Sequence, residues 1–147
     1  MQTYLPVANF AASARILDDD RLGLQRVEAL QIINLLTTGV RSKWQGHPAV
    51  EMWKGYEPAL IAYGRAICDE WERRGNVDGI QAKINELANE AVISEMDIKY
   101  AEMPPWLGSK RFHESHRSNL VRMMPERYGR IWEGHRVDLK YHWPSRV

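Results

Sequence analysis

The chain has 147 residues at 17.1 kDa, with 44% hydrophobic residues, 27% charged residues and a net charge of +1. This is ordinary globular usage for one domain spanning residues 1–147, and it excludes a disordered chain. No apolar run approaches the roughly 18 residues of a membrane helix, and a single cysteine, Cys68, excludes an internal disulfide and a thiolate zinc finger. Met1 to Ala14 has no basic patch before an apolar core, so no signal peptide is read there, and the lone thiol suits a reducing cytoplasm. The charge is unevenly spread. Residues 1–107 hold 11 Lys/Arg against 15 Asp/Glu, a net −4, whereas residues 108–147 hold nine against four, a net +5. A basic C-terminal quarter on an acidic body is either a solvated polar face or a surface for a polyanion.

The pattern is helical almost throughout. A short turn over Asn9–Ala14 precedes a long helix from Asp18 to about Thr38, with Leu24, Val27, Leu30 and Leu35 as its apolar side and Ile33 and Leu36 widening it. Three aspartates at 18–20 suit its N-terminus and Gly39 its stop. Pro48 opens a second pattern that runs to Gly75, and Pro58 predicts a kink or break near Tyr56–Glu57. A third helix is expected over Asp78–Ser94, with Ile80, Ile84, Leu87 and Ala91 on one side. Pro104-Pro105 marks a loop, a shorter fourth helix falls between Glu114 and Met123, and a turn follows at Pro125–Tyr128. The alternating tail Val137–Trp143 is the only strand candidate. The fold class is all-α: a single compact domain of three to four main helices, with an irregular N-terminal strip and a C-terminal tail.

Four groups of residues carry chemical interest. Arg21, Gln25 and Glu28 lie at i, i+4 and i+7, on one face of the long helix. That row is either an exposed salt-bridged face or a carboxylate poised beside a cation and an amide. His47, between Gly46 and Pro48, either caps the next helix or donates to phosphate and shuttles protons. His113 and His116 are spaced i, i+3, the wrong register for a metalloprotease helix; they read either as a metal pair or as a polar helix N-terminus facing anions, and no metal and no cofactor is expected. The basic quarter interleaves aromatics with Lys110, Arg111, Arg117 and Arg122, which read either as core aromatics with a polar shell or as phosphate contacts with stacking partners.

Taken in order, three blocks resemble the pyrimidine-dimer DNA glycosylase family, the endonuclease V type of phage and bacteria. The first is Met1-Gln2-Thr3-Tyr4-Leu5 with Leu17-Asp18-Asp19-Asp20-Arg21-Leu22 through Arg26-Val27-Glu28-Ala29. The second is Gly46-His47-Pro48 through Tyr56, then Trp71 to Gly75. The third is Ser115-His116-Arg117-Ser118-Asn119-Leu120 with Pro125-Glu126-Arg127-Tyr128. The resemblance implies a compact all-helical enzyme whose N-terminal α-amine attacks C1′ of a damaged nucleotide. A helix glutamate assists, and the resulting imine leads to strand cleavage by β-elimination. Carried onto this chain, the amine is that of Met1, the glutamate is Glu28, and Arg117 contacts DNA.

An α-amine suits that role, because its ordinary pKa of about 7.7–8.0 leaves far more of it neutral at pH 7 than a lysine at about 10.4. Gln2 is too bulky for efficient methionine removal, so Met1 is expected to be retained. The sequence departs from the family at Gln2, Val27 and Gln31, where other members carry arginines, and its segment from Leu5 to Leu17 is longer than in the phage type. These departures leave the substrate open between the ultraviolet dimer and another altered pyrimidine.

The expected partner is double-stranded DNA with a damaged or modified pyrimidine, bound by a monomer in the cytoplasm or on the nucleoid and not by a membrane protein. The expected DNA-facing residues are Gln2, Arg21, Gln25, Arg26, His47, Lys110, Arg111, His116, Arg117 and Arg122. Two other readings stand beside this one: a non-catalytic DNA-binding module that kept the basic surface, and a helical protein with a non-DNA partner.

Overall fold

A computed structural model describes residues 1–144. The described residues form eight helices and no strand: α1 Phe10–Ile16, α2 Asp19–Thr38, α3 Pro48–Glu51, α4 Glu57–Arg73, α5 Ile80–Glu90, α6 Glu95–Lys99, α7 Lys110–Met123 and α8 Pro125–Ile131. The four longest correspond to the four main helices expected from the sequence. α4 is central and packs against α1, α2, α5 and α6, while α7 pairs with α8. Trp53 and Tyr63 stack at 5.3 Å in the middle of the core, and Trp106 meets Trp53 edge-on at 5.0 Å.

α2 starts and stops as its sequence dictates. Asp18 caps it by accepting the Arg21 amide, and Gly39 ends it in the left-handed region at φ 72°, where a side chain would be strained. Its buried stripe keeps Ile33 and Leu35, with Leu30 and Leu36 packed against the core as expected, but differs in the N-terminal half. Leu22, Ala29, Ile32 and Ile33 are buried with Gln25, while Leu24 is 52% exposed. Gly23 lets the helix lie close on α4, since a Cβ there would be 2.9 Å from the Trp71 ring.

The break expected near Tyr56–Glu57 separates α3 from α4, and Pro58 occupies the first turn of α4, where its missing N–H costs nothing. The third helix is shorter than the apolar spacing suggested. It ends at Glu90, and the capping box of Ser94 and Asp97 starts α6 as a separate turn. α7 begins at Lys110 rather than Glu114, because the Ser109 side chain caps it. The turn at Pro125 is the first turn of α8.

The tail over Val137–Trp143 is not a strand. Its main chain bonds to side chains of α7: Leu139 N–H donates to Ser118 Oγ, His142 N–H donates to Ser115 Oγ, and the Leu139 carbonyl accepts from Asn119. With no neighbouring strand to pair with, its backbone groups are satisfied by hydroxyls and an amide instead.

Two arginines from distant segments close the C-terminus of α1. Arg74 reaches the carbonyls of Ala14, Arg15 and Leu17, and Arg127 reaches those of Ile16 and Leu17. The Tyr128 hydroxyl donates to the Asp18 carboxylate and accepts the Asp18 amide. The Pro125–Tyr128 segment therefore fixes the start of α2, the helix that carries Glu28.

Candidate active site

The first six residues run as an irregular strip across α2, α3 and α7, and side chains hold most of its peptide groups. Gln2 N–H donates to Glu28 Oε2 at 2.7 Å, and Gln25 Nε2 donates to the Gln2 carbonyl at 3.0 Å. The Thr3 hydroxyl donates to the Ala49 carbonyl and accepts from Trp53 Nε1, both at 3.1 Å. Tyr4 N–H donates to Gln25 Oε1 at 2.6 Å, and the Tyr63 hydroxyl lies 2.7 Å from the Tyr4 carbonyl and 3.0 Å from the same Gln25 oxygen. Arg117 Nη1 donates to the Pro6 carbonyl at 2.7 Å.

Leu5 is held on both sides by the two histidines of α7. His116 Nδ1 accepts its N–H at 3.2 Å, and His113 Nδ1 lies 2.7 Å from its carbonyl. A spacing of i, i+3 places both rings on one helix face, and the two tautomers are opposite. His116 accepts through Nδ1, whereas His113 accepts Gly108 N–H through Nε2 and so donates through Nδ1. Burial pushes both pKa values down, that of His116 to about 3, so both rings remain neutral donors and acceptors.

This clamping sets the end of the chain. The Met1 α-amine lies 3.8 Å from Glu28 Oε1, with the Met1 side chain fully buried and the Glu28 side chain 13% exposed. Glu28 thus bridges two adjacent nitrogens of the strip, one oxygen on the Gln2 amide and the other toward the amine. Gln25 is fully buried. The row of Arg21, Gln25 and Glu28 is therefore not simply an exposed salt-bridged face: Gln25 and Glu28 anchor the N-terminus, while Arg21 pairs with Asp18.

The remaining residues singled out in the sequence fall into three sets. Beside the strip, His47 caps α3 by accepting Ala49 N–H on Nδ1 at 3.1 Å, and its ring lies between Trp44 at 5.7 Å and Trp143 at 6.5 Å. Burial, followed by the positive α-amine, lowers its pKa. Arg21 pairs with Asp18 at 3.3 Å and reaches the sulfurs of Met123 and Met124. A second set serves the scaffold. Arg26 pairs with Asp78 at 2.6 Å and lies 4.8 Å from the centre of the Trp71 ring. His116 is wholly buried, so its ring meets no ligand at the surface. Arg117 is half-buried, and Arg122 ties the tail down through the Val137 and Leu139 carbonyls and Asn119 Oδ1. The third set, Lys110 and Arg111, is exposed at the start of α7.

Several residues at the site were not singled out from the sequence. Tyr141 and Trp143 stack at 5.2 Å and pack against His116, and Trp143 also faces His47. Arg136 and Lys140 join Arg111 around a cleft of about 490 Å³ between α7 and the tail. The aromatics around Lys140 are a readable signal for a stacking surface, but alternation alone pointed to a strand. Among the described residues no three His, Cys, Asp or Glu side chains are gathered as a metal centre requires, and no helix is long and apolar enough to cross a membrane.

The arrangement holds a primary amine beside a carboxylate at a partly open surface flanked by aromatics and cations. It is suited to nucleophilic attack by nitrogen with a carboxylate to stabilise cationic charge and move protons. A family model described as pyrimidine dimer DNA glycosylase matches residues 1–85, a span that holds Met1, Gln25, Glu28 and His47. No curated protein and no solved structure matches the chain.

Proposed function

The chain belongs to the pyrimidine dimer DNA glycosylase family, and we propose that it excises a damaged or modified pyrimidine from double-stranded DNA through an imine formed by the Met1 α-amine. The observation that carries this reading is the amine held 3.8 Å from Glu28 by a strip clamped at successive peptide groups. Such clamping fixes a main-chain nitrogen, which has no side-chain rotamers of its own to lose on ordering.

In this mechanism the amine lone pair forms a bond to C1′ and the base leaves with the glycosidic electron pair, taking up one amine proton. The sugar carries oxocarbenium character as this occurs, and the Glu28 carboxylate stabilises it. The nitrogen then forms a double bond to C1′ as the C1′–O4′ bond breaks, and its second proton passes to O4′ by way of Glu28. In the lyase step the same carboxylate takes the C2′ proton, and the 3′ phosphate leaves with the C3′–O electron pair.

Lys110 and Arg111 supply phosphate contacts, with Arg136 and Lys140 beside them. Gln2 and Arg21 face the nucleotide, and His47 lies on the rim between the strip and Trp143. One copy of the chain carries both reacting groups, so a monomer suffices. The test is borohydride trapping against duplexes carrying an ultraviolet dimer, other altered pyrimidines or an abasic site. A covalent protein–DNA product on at least one of these supports the reading. No product on any contradicts it and leaves a DNA-binding module.

A further inference from the structure

Resting on that reading, we propose that His47 is a further catalytic residue, donating a hydrogen bond from Nε2 to the deoxyribose ring oxygen O4′ as the sugar opens. The ring is oriented from three sides. Ala49 N–H donates to Nδ1 at 3.1 Å, so the single proton of the neutral ring is on Nε2. Trp44 and Trp143 flank the ring edge-on at 5.7 and 6.5 Å, which limits its rotation. Nε2 makes no hydrogen bond among the described residues, and His47 is only partly buried.

The strip is tied to the segment that carries this ring. The Thr3 hydroxyl bonds the Ala49 carbonyl, two residues beyond His47, and Thr3 is two residues from the nucleophile. Burial lowers the pKa of His47, and the charge of the α-amine adds to this only until the amine gives up its proton. A neutral imidazole at a helix N-terminus is a hydrogen-bond donor that retains its proton.

The chemistry requires such a donor. When the C1′–O4′ bond breaks, its electron pair goes to O4′, which bears negative charge until the second amine proton reaches it. Ionised Glu28 only accepts hydrogen bonds, and Arg21 is engaged by Asp18. Among the described residues His47 Nε2–H is an unengaged donor beside the strip, and unlike the Gln2 side-chain amide, which also lacks a partner, it is held in one orientation by its cap and two tryptophans. It lowers the charge on O4′ during bond breaking and ends the step with its own proton unchanged, so the proton count of the reaction is unaltered.

Two substitutions separate this role from the capping role. His47→Asn places an oxygen where Nδ1 accepts and keeps the α3 cap, but removes the Nε2–H. His47→Gln places an amide N–H near the Nε2 position and loses the cap. Imine formation is followed by borohydride trapping on a duplex with one abasic site, binding by titration of the same duplex with a tetrahydrofuran abasic analogue, and folding by thermal melting.

The expected result is a His47→Asn protein that melts near the parent, binds the analogue within about threefold of it, and forms imine about 10²–10³-fold more slowly, the usual worth of an oxyanion donor. His47→Gln melts earlier yet forms imine faster than His47→Asn. The proposal is overturned if His47→Asn traps at the parent rate, if His47→Gln is no faster than His47→Asn, or if the whole loss appears in binding to the analogue. A parent protein that traps no abasic duplex overturns this inference; one that also traps none of the damaged duplexes overturns the proposed function as well.

Discussion

Gln25 Oε1 accepts the Tyr4 amide at 2.6 Å with no solvent contact, 21 residues apart in sequence. The opposite end of the same amide holds the Gln2 carbonyl. One side chain therefore satisfies an alternating donor and acceptor of the strip, as a neighbouring β-strand would. Gln25→Leu keeps the volume and leaves the Tyr4 N–H and Gln2 carbonyl without partners. The expected cost is about 2–6 kcal/mol of unfolding free energy, at the usual 1–3 kcal/mol per orphaned buried group. Urea denaturation with an unchanged m-value checks it.

Acid sensitivity should trace to His116. Its pKa is about 3 in the folded protein, against about 6.5 in an unfolded chain. Above pH 6.5 the ring is neutral in both states and contributes no pH dependence. As pH falls below 6.5 the unfolded chain takes up a proton that the folded protein refuses, and stability drops by up to about 1.4 kcal/mol per pH unit until the folded pKa is reached. His113 and His47, whose pKa values are also lowered, add to this in the same direction. His116→Asn keeps an acceptor for Leu5 N–H without the titration. Its stability between pH 6.5 and 4.5 should fall less steeply than the parent's when both are measured by urea denaturation.

The basic residues of α7 should divide by exposure. Lys110→Ala and Arg111→Ala should each lower the salt dependence of duplex binding by about one unit in log–log slope while leaving the melting temperature near the parent value. Arg117→Ala leaves the buried Pro6 carbonyl without its partner and should cost about 1–3 kcal/mol of stability. An Arg117→Ala protein of parental stability with a reduced salt slope would make Arg117 a phosphate contact instead.

Much of the scaffold was legible because local signals agree with it. Asp18 and Gly39 bound α2, and Pro48 and Pro58 open α3 and α4, as their stereochemistry dictates. The N-terminal half of the α2 stripe was not legible. A fully buried glutamine carries no apolar signal, and its partners lie in a strip with no periodicity of its own. The i, i+3 histidine pair was legible only as the wrong register for a metalloprotease helix, whereas in the fold it holds one leucine's backbone on both sides. The tail alternates like a strand, but its pairing partner is a row of serine and asparagine side chains on a helix. In each case the missing information is a long-range polar contact, which spacing within one element does not encode.

Glu28→Gln removes the charge while keeping an acceptor for Gln2 N–H. Folding should be near normal, and duplex binding unchanged or tighter, since a repulsion with phosphate is also removed. Base excision should slow by about 10²–10⁴, the usual range for a positioned acid–base or electrostatic group. Excision at the parental rate would reduce Glu28 to an anchor of the strip.

The central claim is that the reacting nitrogen is the α-amine beside Glu28, and the site of the trapped bond tests it most directly. The parent protein is reduced with borohydride on a duplex with one abasic site, then digested, and the peptide bearing the sugar is sequenced by mass spectrometry. The account predicts a single adduct on the α-nitrogen of Met1, lost when that nitrogen is acetylated beforehand. An adduct on a lysine side chain, with Lys43 and Lys110 the first to compare, or trapping that survives acetylation of the terminus, would contradict it.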